Sequence, residues 1–170
     1  MDQACVQNAW FTKQNVVRSL VAIESELLDE VKLQKWISTY DTSNISQKRV
    51  GIIMAGNLPL VGFADWLAVF MSGHIALVKC SEKDNVLFPA LIQKLNEIAP
   101  EYETNTIIIE RLKDYDAVIA TGSNNSSIYF ESYFKHVPHI IRKNRTSVAV
   151  IDHETSENEL AAIGLSLIHI

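Results

Sequence analysis

Apolar residues fall three or four apart between Ala9 and Tyr40, at Val16, Val17, Leu20, Ile23, Leu27, Val31 and Trp36. That spacing predicts two amphipathic helices with a break near residues 28–32. A polar, turn-prone stretch over residues 41–48 then leads into a different rhythm. Short buried strands are predicted at 50–54, 75–79, 106–109, 117–120 and 147–151, and helices at 60–72, 85–98, 123–134 and from about Ser156. Gly73 suits the end of the first of these helices and Ala99-Pro100 the end of the second. Strands separated by helices of this length pair in parallel through right-handed crossovers. The expected fold is therefore α/β, a Rossmann-type doubly wound parallel sheet preceded by N-terminal helices. Residues 1–48 form the helical segment, 49–164 the α/β domain, and 165–170 a tail.

Composition narrows the class without naming a chemistry. At 170 residues and 48% hydrophobic content, the chain is long enough for one domain with a sizeable core. A formal charge of −5 gives no global attraction for nucleic acid or an anionic membrane, although basic groups gather between His136 and Arg145. No apolar run approaches the ~20 residues that span a bilayer, and residues 1–10 lack the basic and apolar regions of a secretory signal. A cytoplasmic protein with no nucleic-acid partner and no membrane span is expected. Cys5 and Cys80 do not make a disulfide framework, and no Cys-x-x-Cys or His-Glu-x-x-His spacing occurs, so no metal is expected.

The candidate chemistry sits on strand-to-helix turns, where an α/β sheet presents loops to a ligand. Asn57, between Gly56 and Leu58-Pro59, can offer its side-chain amide to an oxyanion forming on a carbonyl. A turn asparagine, chosen for its tolerance of left-handed backbone, has the same signature. In Lys79-Cys80-Ser81-Glu82 the two charged residues follow a strand, as a ribose or phosphate contact or as a solvated loop. Thr121-Gly122-Ser123 ends a strand and opens a helix, so backbone N–H groups and the helix dipole face anything anionic there, a cofactor diphosphate for example. A plain N-cap reads the same way, and no Gly-x-Gly-x-x-Gly is present. His136, His139, Arg142, Lys143 and Arg145 suit a phosphate dock or a solvated basic edge. Asp65 and His74 flank an apolar helix, where a surface acid and a capping histidine are more natural than a catalytic dyad. Cys80 has the chemistry of a nucleophile but sits within the charged loop.

These turns resemble paired motifs of the aldehyde dehydrogenase superfamily, and most closely its bacterial acyl-CoA reductase branch, which supplies aldehyde in bacterial luminescence. Gly56-Asn57-Leu58-Pro59 matches an aromatic-Asn-aromatic-Pro turn whose asparagine supports the oxyanion hole. Lys79-Cys80-Ser81-Glu82 matches Lys-Pro-Ser-Glu, whose lysine and glutamate contact the adenosine ribose, with Cys80 in place of the proline. Thr121-Gly122-Ser123 matches the superfamily's own turn. Over residues 140–150 the chain has neither the general-base glutamate nor the Leu-Gly-Gly of ordinary aldehyde dehydrogenases, which suits an enzyme that releases aldehyde rather than acid.

The resemblance runs from about Trp10 to Leu160. It implies NADPH-dependent reduction of a long-chain acyl-CoA or acyl-protein thioester to fatty aldehyde through a thioacyl-cysteine. NADH stays open, because Glu82 disfavours a 2′-phosphate. Acyl-transferase and acyl-protein synthetase partners and a homo-oligomeric parent are implied as well. The family's nucleophile segment lies beyond the matched stretch. The chain therefore reads as an N-terminal portion with an incomplete sheet and a truncated cofactor domain, inactive alone, with residues 165–170 of non-native origin. The alternative is a non-catalytic nucleotide-binding or assembly module.

Overall fold

The computed structural model describes residues 1–41, 45–144 and 148–168. Five short runs, four of them rich in Val, Ile, Leu or Ala, become parallel strands, the arrangement that buries both faces of a sheet between helices. They are β1 (Arg49–Ile53), β2 (Ile75–Lys79), β3 (Thr106–Ile108), β4 (Ala117–Thr121) and β5 (His139–Arg142). All neighbours run parallel, in the order β3-β2-β1-β4-β5. The chain begins in the middle, winds to one edge and returns to fill the other half, which opens a crevice at the switch between β1 and β4. Ile53 lies in register with both Lys79 and Ala120, so the central strands finish at one level.

The helices are α1 (Asp2–Gln7), α2 (Lys13–Ala22), α3 (Glu30–Ile37), α4 (Phe63–Met71), α5 (Leu87–Ile98), α6 (Asn124–Phe134) and α7 (Glu157–Ile168). Strand alternation divides the core between two layers. Val50, Ile52, Ala76 and Val78 meet Phe63, Trp66 and Leu67 of α4 and Phe88 and Ile92 of α5. Leu77, Val118 and Ala120 meet Leu112 and Phe134 on the opposite face. Trp66 Nε1 donates to Thr106 Oγ1 at 2.9 Å inside the first layer, which satisfies the N–H that burial takes from water. The N-terminal helices join the same layer through Ile23, Leu27 and Leu33, while Ala4, Phe11 and Val16 pack against Val86 and Leu87. Among the described residues no helix is long and apolar enough to cross a membrane.

The α/β sheet with N-terminal helices is as the sequence pattern predicts, with local differences that have physical reasons. The break in the helical preface falls after a π-helical turn (Ile23–Leu27), and Asp29 caps α3 by accepting from Lys32 N at 2.8 Å. The six residues of α1 are too few for a periodicity to register. Helix α4 starts at Phe63 rather than at residue 60, because Leu60 holds φ 58° and residues up to Gly62 form a turn. Gly73, at φ 74°, ends that helix as expected. A strand at 147–151 does not form over the described residues 148–151, where Val148 and Val150 are exposed. Its place as the fifth strand is taken by β5, an edge strand whose Ile140 is half in solvent, so it lacks the doubly buried pattern of a central strand. Residues 42–44 of the polar connection, Arg145, Ser147 and residues 169–170 of the tail lie outside the described residues.

Candidate cofactor and oxyanion site

At the end of β1, Met54 N donates to Lys79 O at 3.1 Å, and the chain then turns away at Gly56. A Cβ on Gly56 would lie 2.5 Å from Ser81 Oγ and 3.0 Å from Lys83 Cβ. The turn after β1 and the loop after β2 therefore touch at this glycine, because no side chain stands between them. Asn57 is exposed at the bend that follows. Two side chains hold the bend from behind. Asn8 Nδ2 donates to Gly56 O and to Lys83 O, both at 3.2 Å. Asp84 is buried, and its Oδ2 accepts from Leu60 N at 2.9 Å. Burial raises the Asp84 carboxyl above the usual range, against the opposing pull of the Leu60 and Leu87 backbone N–H groups. Nothing in the local spacing singles out either residue.

Lys79 is the last residue of β2 and shares the face of Leu77. With Ile53, Leu112, Tyr129, Phe130 and Tyr133 it lines an open cavity of about 780 Å³ between the sheet edge and α6. Glu82 is exposed on the following turn, and its carbonyl accepts from Gln7 Nε2 at 3.1 Å. Cys80, between them, packs against the core, and burial pushes its thiol up to about 11, the Asp84 charge adding to the shift and Lys79 opposing it. At pH 8 alkylation of Cys80 by iodoacetamide is expected to be at least about 10²-fold slower in the folded protein than in urea. Equal rates by mass spectrometry would show a thiolate that this environment does not support.

At the third turn, Gly122 N donates to Arg142 O at 3.0 Å, so that N–H belongs to the sheet. A Cβ at Gly122 would lie 2.9 Å from both Phe130 Cε2 and Ser126 Cβ, which explains the glycine by close packing. Ser123 caps α6, its Oγ accepting from Ser126 N at 3.3 Å. The first-turn N–H groups of Asn124 and Asn125 have no intrahelical partner by geometry, and they carry the positive end of the helix dipole. Asn57, Lys79 and Gly122 thus sit on three turns of one sheet edge, around the β1/β4 switch.

A family model described as Acyl-CoA reductase (LuxC) matches residues 5–163. The chain belongs to this acyl-CoA reductase family. The match covers everything from α1 into α7 and so includes all three turns. Family membership makes the chain an oxidoreductase of the acyl-CoA reductase type, and a nicotinamide cofactor fits that chemistry. No curated protein and no solved structure matches it.

The remaining polar residues of the reductase separate once folded. Asp65 Oδ1 accepts from Arg142 Nη2 at 2.8 Å and Nε at 3.1 Å, which ties the first turn of α4 to the end of β5. His74 Nδ1 accepts from Lys48 N at 3.3 Å at the far end of the sheet, so the two residues make no dyad. The basic stretch is divided by β5. His136, 6.0 Å from the Tyr115 ring, and His139 lie at its amino end, and Arg142 and Lys143 at its carboxyl end. Lys143 pairs with Glu131 at 3.0 Å, so Arg142 and Lys143 each face an acid of this chain.

Proposed function

We propose that this chain holds the cofactor of an NADPH-dependent acyl-CoA reductase that converts a long-chain acyl-CoA or acyl-protein thioester to fatty aldehyde. The observation that supports this most is that three strand-to-helix connections lie along one sheet edge around the switch point, beside a cavity with Lys79 on its wall. The residues present suit a dinucleotide. A cavity of about 780 Å³ walled by Ile53, Leu112, Phe130 and two tyrosines suits an adenosine. The amino end of α6 suits a diphosphate. Lys79 and Glu82 would hold the ribose, and the turn of Thr121, Gly122 and Ser123 the diphosphate, through groups other than the Gly122 N–H that the sheet takes. When bound, the nicotinamide supplies the hydride.

Asn57 would donate its amide to the oxyanion formed when a thiolate attacks the acyl carbonyl. The thiolate would come from a residue other than Cys5 or Cys80, since Cys80 lies in the ribose loop with its thiol held protonated. Residues 49–164 would form the cofactor domain and residues 1–48 its helical support. Acyl-transferase or acyl-protein synthetase partners and a homo-oligomer belong to the same proposal. The exposed Glu82 carboxylate favours a second reading for the cofactor, NADH, because it repels a 2′-phosphate.

Calorimetric titration with NADPH and NADH tests the proposal. Lys79→Ala is expected to weaken cofactor binding about 10-fold, the loss of one charge-assisted hydrogen bond. An unchanged affinity would remove Lys79 from the cofactor site.

A further inference from the structure

We infer that Asp84, together with Asn8, is a positioning residue for the turn that carries Asn57, an inference that rests on the oxyanion reading of that asparagine. Asp84 is only 7% exposed, and none of the ion pairs among the described residues includes it. Its Oδ1 is buried with no hydrogen-bond partner. A buried carboxylate kept in that state costs stability, so a purely structural position would more naturally hold an apolar or neutral residue.

Its partner explains the choice. Leu60, whose N–H donates to Asp84 Oδ2, is one of two non-glycine residues at positive φ among those described, and its side chain is buried. A leucine in that conformation is strained, and it persists where the surroundings over-determine it. Within the turn itself Phe63 N donates to Leu60 O at 2.9 Å, but on the side toward Asn57 the Val61 N to Leu58 O hydrogen bond is long, at 3.4 Å, so that side is weakly held from inside. The grip comes from outside. Asn8 holds Gly56 O on one side of Asn57, and Asp84 holds Leu60 N on the other. Asn8 also holds Lys83 O, next to Asp84, so the Asn57 turn and the loop bearing Lys79 and Glu82 are registered to each other as one unit. A role confined to the start of α5, where the Leu87 N–H acts on the same carboxyl, would not require a partner 24 residues away.

The experiment is a double-mutant cycle in the intact reductase, reading the single-turnover acylation rate and the NADPH dissociation constant. Asp84→Ala is expected to slow acylation about 10- to 10²-fold, as displacement of a catalytic group by an ångström does. Asp84→Asn, whose amide oxygen can still accept from Leu60 N, is expected to recover most of the rate. Adding Asp84→Ala to Asn57→Ala is expected to slow acylation less than about twofold further, because both act through one group. Effects that multiply in the double variant would overturn the inference, as would an Asp84→Ala enzyme that melts earlier but acylates at the full rate. Should Asp84→Ala not fold, Asn8→Ala serves in the same cycle with the same expectations. A wild-type rate for Asn57→Ala would remove the oxyanion reading itself. A slowed Asn57→Ala beside an unaffected Asp84→Ala would overturn only the positioning role.

Discussion

Replacing Asn57 by alanine in the intact reductase is expected to slow formation of the acyl-enzyme by about 10² to 10³-fold, the range for loss of one oxyanion donor. The effect should fall on the chemical step. Asn57 is exposed at the bend and does not line the Lys79 cavity, so NADPH affinity is expected to stay within about twofold. Stability is expected to move by less than about 0.5 kcal/mol, as for other exposed substitutions. Rapid-quench measurement of CoA release separates acylation from hydride transfer. An unchanged acylation rate would take Asn57 out of the mechanism, whatever its resemblance to the family's asparagine.

The largest expected effect on stability belongs to Trp66. Its side chain is 3% exposed and lies between Phe63, Phe70 and Phe88, with ring centroids 5.2, 5.0 and 5.8 Å away. It also donates to Thr106, a buried residue of the edge strand β3. Trp66→Ala removes the packing, leaves a cavity and strands the Thr106 hydroxyl, so a loss of about 3–5 kcal/mol is expected. Against a typical total of about 5–15 kcal/mol, that removes a large share of the stability. Urea unfolding gives the measurement. A loss below about 1 kcal/mol would mean that α4 is not the keystone of this layer.

The alternation of strand and helix was legible because the central strands are buried on both faces and read as unbroken apolar runs, as at residues 75–79. Gly73 marked its helix end because a left-handed C-cap is a local requirement. The strand β5 was not legible. Its four residues end in His139 and Arg142, and on an edge they present no buried face, so in sequence the charges look like one cluster. A strand of that length carries its ends about 10 Å apart, which is why the histidines and Arg142 part company.

The three candidate turns were legible for the same reason as Gly73: a strand-to-helix turn is written in contiguous residues. What holds those turns was not. Asn8 reaches partners 48 and 75 residues away, and Asp84 one 24 residues away, contacts that exist only after folding. The wall that Tyr129, Phe130 and Tyr133 give the cavity was hidden likewise, since in sequence they are simply the aromatic side of a helix.

Chemical-shift mapping of the backbone amides during an NADPH titration would show whether this one sheet edge holds the nicotinamide dinucleotide. Shifts are expected to concentrate at Lys79, Glu82, Gly122, Ser123 and the α6 residues lining the cavity, with the far end of the sheet around His74 silent. Shifts absent at saturating NADPH and NADH, or gathered away from these turns, would contradict that placement.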